Sequence, residues 1–444
     1  MTQPLLRWVV ACVLVAAACD DAAAPRDSAA SIVVTPSADS LLTGTTLQVA
    51  VEVETAGGDP IPAGDVTWAT SDPSIATVSA GGLVTTLGPG HVTIYAAIDA
   101  IADSAVLLVI SPFSALQVTA GAGFTCAVAA GGGYCWGSNF AGALGNGLVE
   151  GAFRRPSLIT GGMSWTALVA GEQHACGIAT GGIAYCWGYN ASGQLGDNSY
   201  INQVIPVVVQ TAGPLVVIAP GWFHTCGLTA GGAACWGNQN GFSSIALEWL
   251  VSGWDHQCGL TATGQAYCWG ANFNGQLGDG TTTVQTTPAA VAGSITFDAI
   301  DAGARFTCGM DTAGLAYCWG ENVNGQLGDG TTVNRLVPTL VTGGHQFVAI
   351  SGGHGHACAL TTEGAAWCWG SNFNSQLGDG TQTDRLVPTL VAGGRVFSSI
   401  AVGGAHTCAI EVSGRVYCWG WNGNGQLGDN SFTDRSIPAE VWAP

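Results

Sequence analysis

Gly403-Gly404-Ala405-His406-Thr407-Cys408, then Val416-Tyr417-Cys418-Trp419-Gly420, then Asn424-Gly425-Gln426-Leu427-Gly428-Asp429 is one copy of a unit written seven times. The unit reads Gly-x-x-His-x-Cys, a short turn, Tyr-Cys-Trp-Gly, a Gly-Gln-Leu-Gly-Asp loop, then Pro-x-x-Val. Its first cysteines are Cys126, Cys176, Cys226, Cys258, Cys308, Cys358 and Cys408, spaced by 50, 50, 32, 50, 50 and 50 residues. Self-similarity at such a period marks a repeat architecture, and each unit holds several short alternating segments broken by Gly. Seven copies of about four strands describe an all-β fold, a seven-bladed β-propeller. An open solenoid would need terminal repeats with a polar outer face, and neither end of the array shows one.

The loop sharpens this reading. Its core stands intact at Gly193–Asp197, Gly275–Asp279, Gly325–Asp329 and Gly425–Asp429, has Ser375 for the first Gly in blade six, and is degenerate in blade one (Gly142-Ala143-Leu144-Gly145-Asn146). Blade three lacks it, which accounts for the short gap. These residues resemble the regulator of chromosome condensation repeat family over roughly 113–444. Members of that family serve different ends: nucleotide exchange on a small GTPase, light sensing in plants, and β-lactamase inhibition by a secreted bacterial relative. The resemblance implies a fold and leaves the function open.

The second cysteines are Cys135, Cys186, Cys235, Cys268, Cys318, Cys368 and Cys418, ten residues after the first in five repeats and nine in two. A three-residue turn such as Thr362-Glu363-Gly364 sets Cys358 opposite Cys368. A two-residue turn, Ala130-Gly131, sets Cys126 opposite Cys135. Opposed strand positions lie within disulfide range, so seven disulfides are expected, one per hairpin. His174, His224, His256, His356 and His406 stand two residues before the first Cys and invite a zinc reading. Phe124 and Phe306 occupy that place in blades one and five, where both cysteines persist. The histidines are therefore expected to be structural, bonded to backbone within their own blade, with no metal or other cofactor. The Asp-Gly-Thr loops offer one carboxylate each, too few for calcium, and read as turns. Arg335, Arg385 and Arg435 are expected to pair with Asp on the rim, and the Trp of each Cys-Trp-Gly to pack between blades.

Upstream, Arg7 precedes an apolar run from Trp8 to Ala18, too short to span a bilayer. Ala16-Ala17-Ala18-Cys19-Asp20 resembles a bacterial lipobox, which implies that Cys19 is lipidated, although Ala16 stands where Leu is commonest. An ordinary secretory signal cleaved after Ala18 would export the chain equally. The organisation expected is a signal at 1–19, a linker at 20–30, a β-sandwich at 31–111 and the propeller at 112–444. Val66-Thr67-Trp68-Ala69-Thr70-Ser71-Asp72-Pro73 and Gly90-His91-Val92-Thr93-Ile94 resemble the bacterial immunoglobulin-like group 2 domain, a spacer or adhesion module. There Trp68 reads as the core aromatic and His91 as a turn residue.

Charged residues make up 9% of the chain, yet the net charge is -19, and all ten cations are Arg. That balance disfavours nucleic acid and anionic lipid, so membrane contact is expected only through the N-terminal lipid. Absence of Lys excludes Schiff-base chemistry. No Gly-x-Ser-x-Gly, His-Glu-x-x-His or phosphate loop occurs, so no catalytic residue is expected. The reading is an exported, monomeric, non-catalytic scaffold in the cell envelope that binds an unidentified protein. The alternatives are a nucleotide-exchange regulator, disfavoured by export, and a glycan-binding or glycan-active envelope protein. Two variable residues follow the Gly of each Gly-x-x-His. In blades three and four they are Trp222-Phe223 and Trp254-Asp255, expected on one rim beside the missing loop, either as a partner anchor or folded into the gap. Ile437-Pro438-Ala439-Glu440-Val441 is expected to pair into blade one and close the ring.

Overall fold

The computed structural model describes residues 28–36, 40–62, 65–210, 213–229, 231–238 and 241–444. Trp8–Ala18 and Cys19 lie outside the described residues. The chain divides into two compact units, one ending at Ile110 and one running from Ser111 to Pro444.

The first unit is a β-sandwich. Gly90–Ile98 pairs with Ile101–Ile110 in a long antiparallel hairpin, flanked by Thr67–Thr70 and, in parallel, by Ser40–Leu42. Thr46–Gln48, Leu83–Thr86 and Ala76–Val78 form a second sheet, and Ala29–Thr35 pairs with Ala50–Thr55. Alternate residues Val92, Ile94, Ala96 and Ile98 are buried, which is the two-residue period of a strand with one face inward. Trp68 packs partly buried against this core, over Gly82, where a Cβ would stand 2.8 Å from the indole. His91 is not in a turn: it sits within the hairpin strand, exposed, opposite Leu108.

The second unit is a seven-bladed propeller, each blade a four-stranded antiparallel sheet in sequence order. Blade one comprises Gln117–Ala120, Phe124–Ala129, Gly132–Ser138 and Ala152–Leu158. Blade seven comprises Phe397–Val402, His406–Glu411, Val416–Gly420 and Arg435–Glu440. In blade three the fourth strand shrinks to Gly241–Ser243. Second strands such as Phe124–Ala129 are buried at every residue, because both their faces lie against neighbouring blades. The outer strands are sheet edges, and six carry a proline (Pro156, Pro206, Pro288, Pro338, Pro388, Pro438), which removes a donor that another chain would pair with.

Blades are keyed to one another through the loop. Gly278, Gly328, Gly378 and Gly428 of its Leu-Gly-Asp segment lie flat on the tryptophan of the next blade, and a Cβ there would come within 2.8 Å of Trp319, Trp369, Trp419 and Trp136. Trp136 and Trp369 also donate from Nε1 to the Gln426 and Gln326 carbonyls at 2.9 and 3.0 Å. The Trp136 contact joins blade seven to blade one, so the array is a closed ring.

Closure differs from the expectation. Arg435–Glu440 is the outer strand of its own blade, registered on Val416–Gly420, and does not enter blade one. The seam is made instead by residues ahead of the first repeat. Phe113 donates its N–H to Val441 at 2.8 Å, its carbonyl accepts from Val416 at 3.0 Å, and Ala443 donates to Ser111 at 2.8 Å. The Phe113 ring meets Trp136 at 5.7 Å, much as Phe297 meets Trp319 and Phe397 meets Trp419. Repeat boundaries in a circular array are arbitrary, so the outer strand reads equally well as an end or a beginning.

Candidate functional site

Directly opposed cysteines in strands two and three are joined in each blade: Cys126–Cys135, Cys176–Cys186, Cys226–Cys235, Cys258–Cys268, Cys308–Cys318, Cys358–Cys368 and Cys408–Cys418. Their Cα atoms stand 4.0–4.1 Å apart. The turn lengths differ by one residue without moving the pairing, with Gly131 and Gly364 at φ of 93° and 79°. All are fully buried except Cys235, which is partly exposed beside the shortened edge of blade three.

The histidines do not bond backbone within their own blade. His174, His256, His356 and His406 reach through Nε2 to the hydroxyls of Thr225, Thr307, Thr407 and Thr125 in the next blade, at 2.8–3.0 Å. Each of those threonines donates its one proton to a loop carbonyl (Gln194, Gln276, Gln376, Gln426), so its oxygen accepts from the imidazole N–H. In blade three the direction reverses: Gln257 of the next blade donates from its amide nitrogen to His224 Nε2 at 2.6 Å. Where Phe124 and Phe306 replace His, the facing residue is Ala175 and Ala357, which keeps volume and leaves no hydroxyl orphaned. Burial holds the five imidazoles neutral, depressing His174, His256, His356 and His406 to about 3 and His224 to about 4.

The Asp loops are self-contained. Asp329 Oδ1 accepts from the Thr331 N–H and hydroxyl at 2.9 and 2.8 Å and from Asn322, while Oδ2 takes Arg335 Nε at 2.6 Å. Burial raises its pKa, but these donors outweigh it and hold the carboxyl below its ordinary range. Arg385–Asp379 and Arg435–Asp429 repeat the arrangement. Among the described residues no three His, Cys, Asp or Glu side chains gather closely enough to hold a metal ion.

Strand one to strand two loops lie at the same end of the blades as the Asp loops, and the former converge on the axial channel. Gly121, Gly171, Gly221, Gly253, Gly303, Gly353 and Gly403 line it, one from each blade, where a Cβ would strike backbone or the ring of the following His or Phe. Trp222 and Trp254 do not flank the gap in blade three, nor do they fill it. They sit half-buried at the channel mouth, ring centroids 4.9 Å apart, with Phe223 stacked on Trp222 at 4.6 Å and Tyr189 beyond it at 6.2 Å. Asp255 lines the separate recess left by the missing loop, a cavity of about 380 Å³. Glu172 of blade two spans the mouth: one carboxylate oxygen accepts Trp254 Nε1 and His354 Nε2, each at 2.6 Å, tying blades two, four and six. Arg305 lies with its guanidinium 5.0 Å from the centroid of Trp254. Beside the mouth, Phe140 and Trp421 wall a cavity of about 480 Å³ that Glu172, Gln173 and Asn424 also line.

A family model for the regulator of chromosome condensation (RCC1) repeat matches residues 181–228, 263–310, 313–360, 363–410 and 413–444, half of the chain. The chain belongs to the RCC1 repeat family. A model for the bacterial Ig-like domain (group 2) matches residues 28–109. Rat and human probable E3 ubiquitin-protein ligases HERC4 are 30% identical over 186 residues, 36% of this chain and 18% of theirs. The match thus spans under a fifth of those relatives' length. Among solved structures, human WBSCR16 superposes with TM-score 0.63 at 20% identity, over 69% of this chain and 93% of that one. Yeast RCC1 (Prp20), solved with Kap60, gives 0.61 at 18% identity, over 74% and 85%. Both are likenesses of fold.

Reading the RCC1 repeats one at a time misses the residues that organise the mouth. Glu172 and His354 occupy the same variable pair as Trp222 and Trp254, one place past the channel glycine, but they meet across 182 residues. The signal was present in their shared position within the repeat. What was missing was that every such position faces one axis.

Proposed function

We propose that this protein is an exported, lipid-tethered, non-catalytic interaction propeller whose Ig-like unit serves as a spacer and whose channel mouth engages a protein. The observation that carries the reading is the aromatic cluster Trp222, Phe223 and Trp254, half-exposed on inner loops that glycines bring close together. Large, rigid aromatics backed by neighbouring blades are what interface hot spots are made of. Seven disulfides, an Ig-like domain of bacterial type and the Cys19 motif all favour an oxidising compartment outside the cytosol. The same features weigh against nucleotide exchange, which needs a cytosolic GTPase. The carboxylate at this mouth, Glu172, is engaged with Trp254 and His354, an arrangement that orients loops and does not resemble an acid pair for glycan cleavage.

Replacing both Trp222 and Trp254 with Ala is expected to abolish capture of the partner from envelope extracts while lowering the thermal midpoint by no more than about 5 °C. Capture retained by the double variant, whatever its midpoint, would remove the mouth as the binding site.

A further inference from the structure

From Pro156 to Ala304, across blades two, three and four and the first strand of blade five, the chain carries seven carboxylates and no Arg or Lys. The three histidines of the Gly-x-x-His positions there, His174, His224 and His256, are buried and neutral. The Asp loops show the same asymmetry. In blades five to seven Arg335, Arg385 and Arg435 neutralise Asp329, Asp379 and Asp429. In blades two and four Gln203 and Gln285 take the arginine's place, each bonding Asp197 or Asp279 at 3.0 Å and leaving the negative charge unbalanced. One arc of the ring is therefore anionic, and the aromatic cluster stands on that arc.

At the arc's end the chain shows what this surface accepts. Arg305, the first cation past it, lays its guanidinium on Trp254 and reaches Glu321 at 3.7 Å. The stacked pair Trp222–Phe223, one step further in, has no cation over it among the described residues, and Glu172 Oε2 carries no hydrogen bond among them. A planar, weakly hydrated guanidinium is the group that can stack on an indole and pair with a carboxylate together.

We propose that this arc of the channel mouth docks an arginine-bearing basic segment of a protein partner, one guanidinium lying on Trp222–Phe223 and pairing with Glu172. The proposal rests on the interaction reading above and names the partner's chemistry. Net negative charge along the arc would speed the encounter, and the aromatics would set its place.

The test is fluorescence anisotropy of a labelled peptide of four Gly-Arg repeats, with a Gly-Asp peptide as control, against the full exported chain at about 0.15 M salt. The Gly-Arg peptide is expected to bind and the Gly-Asp peptide not to. Glu172→Gln and Trp222→Ala should each weaken binding about tenfold, and Arg305→Ala, which frees Trp254, should strengthen it severalfold. Glu363→Gln makes the same charge change on an exposed turn at the opposite end of blade six and should alter affinity less than about twofold. Equal losses from Glu172→Gln and Glu363→Gln would mean attraction to net charge alone and would overturn the proposal. So would failure of the Gly-Arg peptide to bind. If that failure accompanied loss of partner capture by the Trp222, Trp254 double variant, the interaction face would stand and its basic partner would not.

Discussion

Protein reduced and alkylated in denaturant is expected not to refold when the denaturant is removed. Each disulfide closes a loop of about ten residues, worth about 2–3 kcal/mol by the chain-entropy account, and there are seven. Net stability of a folded domain is only about 5–15 kcal/mol, so even partial additivity removes it. The native ring should nonetheless resist reductant alone, because thirteen of its fourteen sulfurs are fully buried. The partly exposed Cys235 makes Cys226–Cys235 the first bond to open. Near-UV circular dichroism reports refolding, and mass mapping of alkylated cysteines reports the order of opening. A reduced chain that regained the native spectrum and midpoint would show that the staples are dispensable.

Acid is expected to unfold the propeller well above the pH at which carboxylates alone would do so. His174, His256, His356 and His406 titrate near 3 when folded, and His224 near 4, against 6.5 when unfolded. Their folded pKa values lie below the unfolded ones, so the unfolded chain binds more protons throughout that window. Stability is then fully present above about pH 6.5 and falls as pH drops toward 4, by up to about 1.4 kcal/mol per histidine per unit. Asp301 opposes this: burial in the channel wall pushes it up to about 6, so protonation on acidification favours the folded state. Burial raises Asp255 as well, and two such groups against five leave the histidines dominant. Urea titrations at pH 7, 6, 5 and 4 should show the midpoint falling monotonically below about pH 6.5, and a flat profile down to pH 4 would contradict the buried neutral assignment.

Much of this was legible in the repeats. The period set the blade count, and the spacings of nine and ten residues, read with the turns, placed each cysteine opposite its partner. The Phe124–Ala175 and Phe306–Ala357 exchanges were also written there, since wherever His becomes Phe the facing Thr becomes Ala. That correlation becomes visible only once a residue in one blade is compared with its neighbour in the next. A histidine considered alone finds its nearest donors and acceptors in its own backbone, which is why the expectation went to the wrong partner. Trp222 and Trp254 were placed on the right loops but beside the wrong feature. Sequence distance says nothing about convergence on an axis, and Glu172 meets Trp254 only because seven loops crowd toward one channel. The C-terminal strand was misassigned for a related reason: a ring has no first repeat, and the part played by Phe113 shows up only in contact with Trp136 and Val441.

The seam between the last blade and the first offers the most direct test of the account, which holds that seven stapled blades close into one ring by keying each histidine to the next blade. His406 and Thr125 are 281 residues apart in sequence and 2.9 Å apart in the fold. A double-mutant cycle with His406→Phe, Thr125→Ala and both together copies the exchange that blades one and two, and blades five and six, already contain. Each single change is expected to cost about 1–3 kcal/mol, through an orphaned group or a ring set against a hydroxyl. The pair should restore most of that loss, giving a coupling energy of about 1–3 kcal/mol by urea unfolding. Singles that simply add would mean that the two residues do not touch, and would contradict the keying of blade seven to blade one through His406.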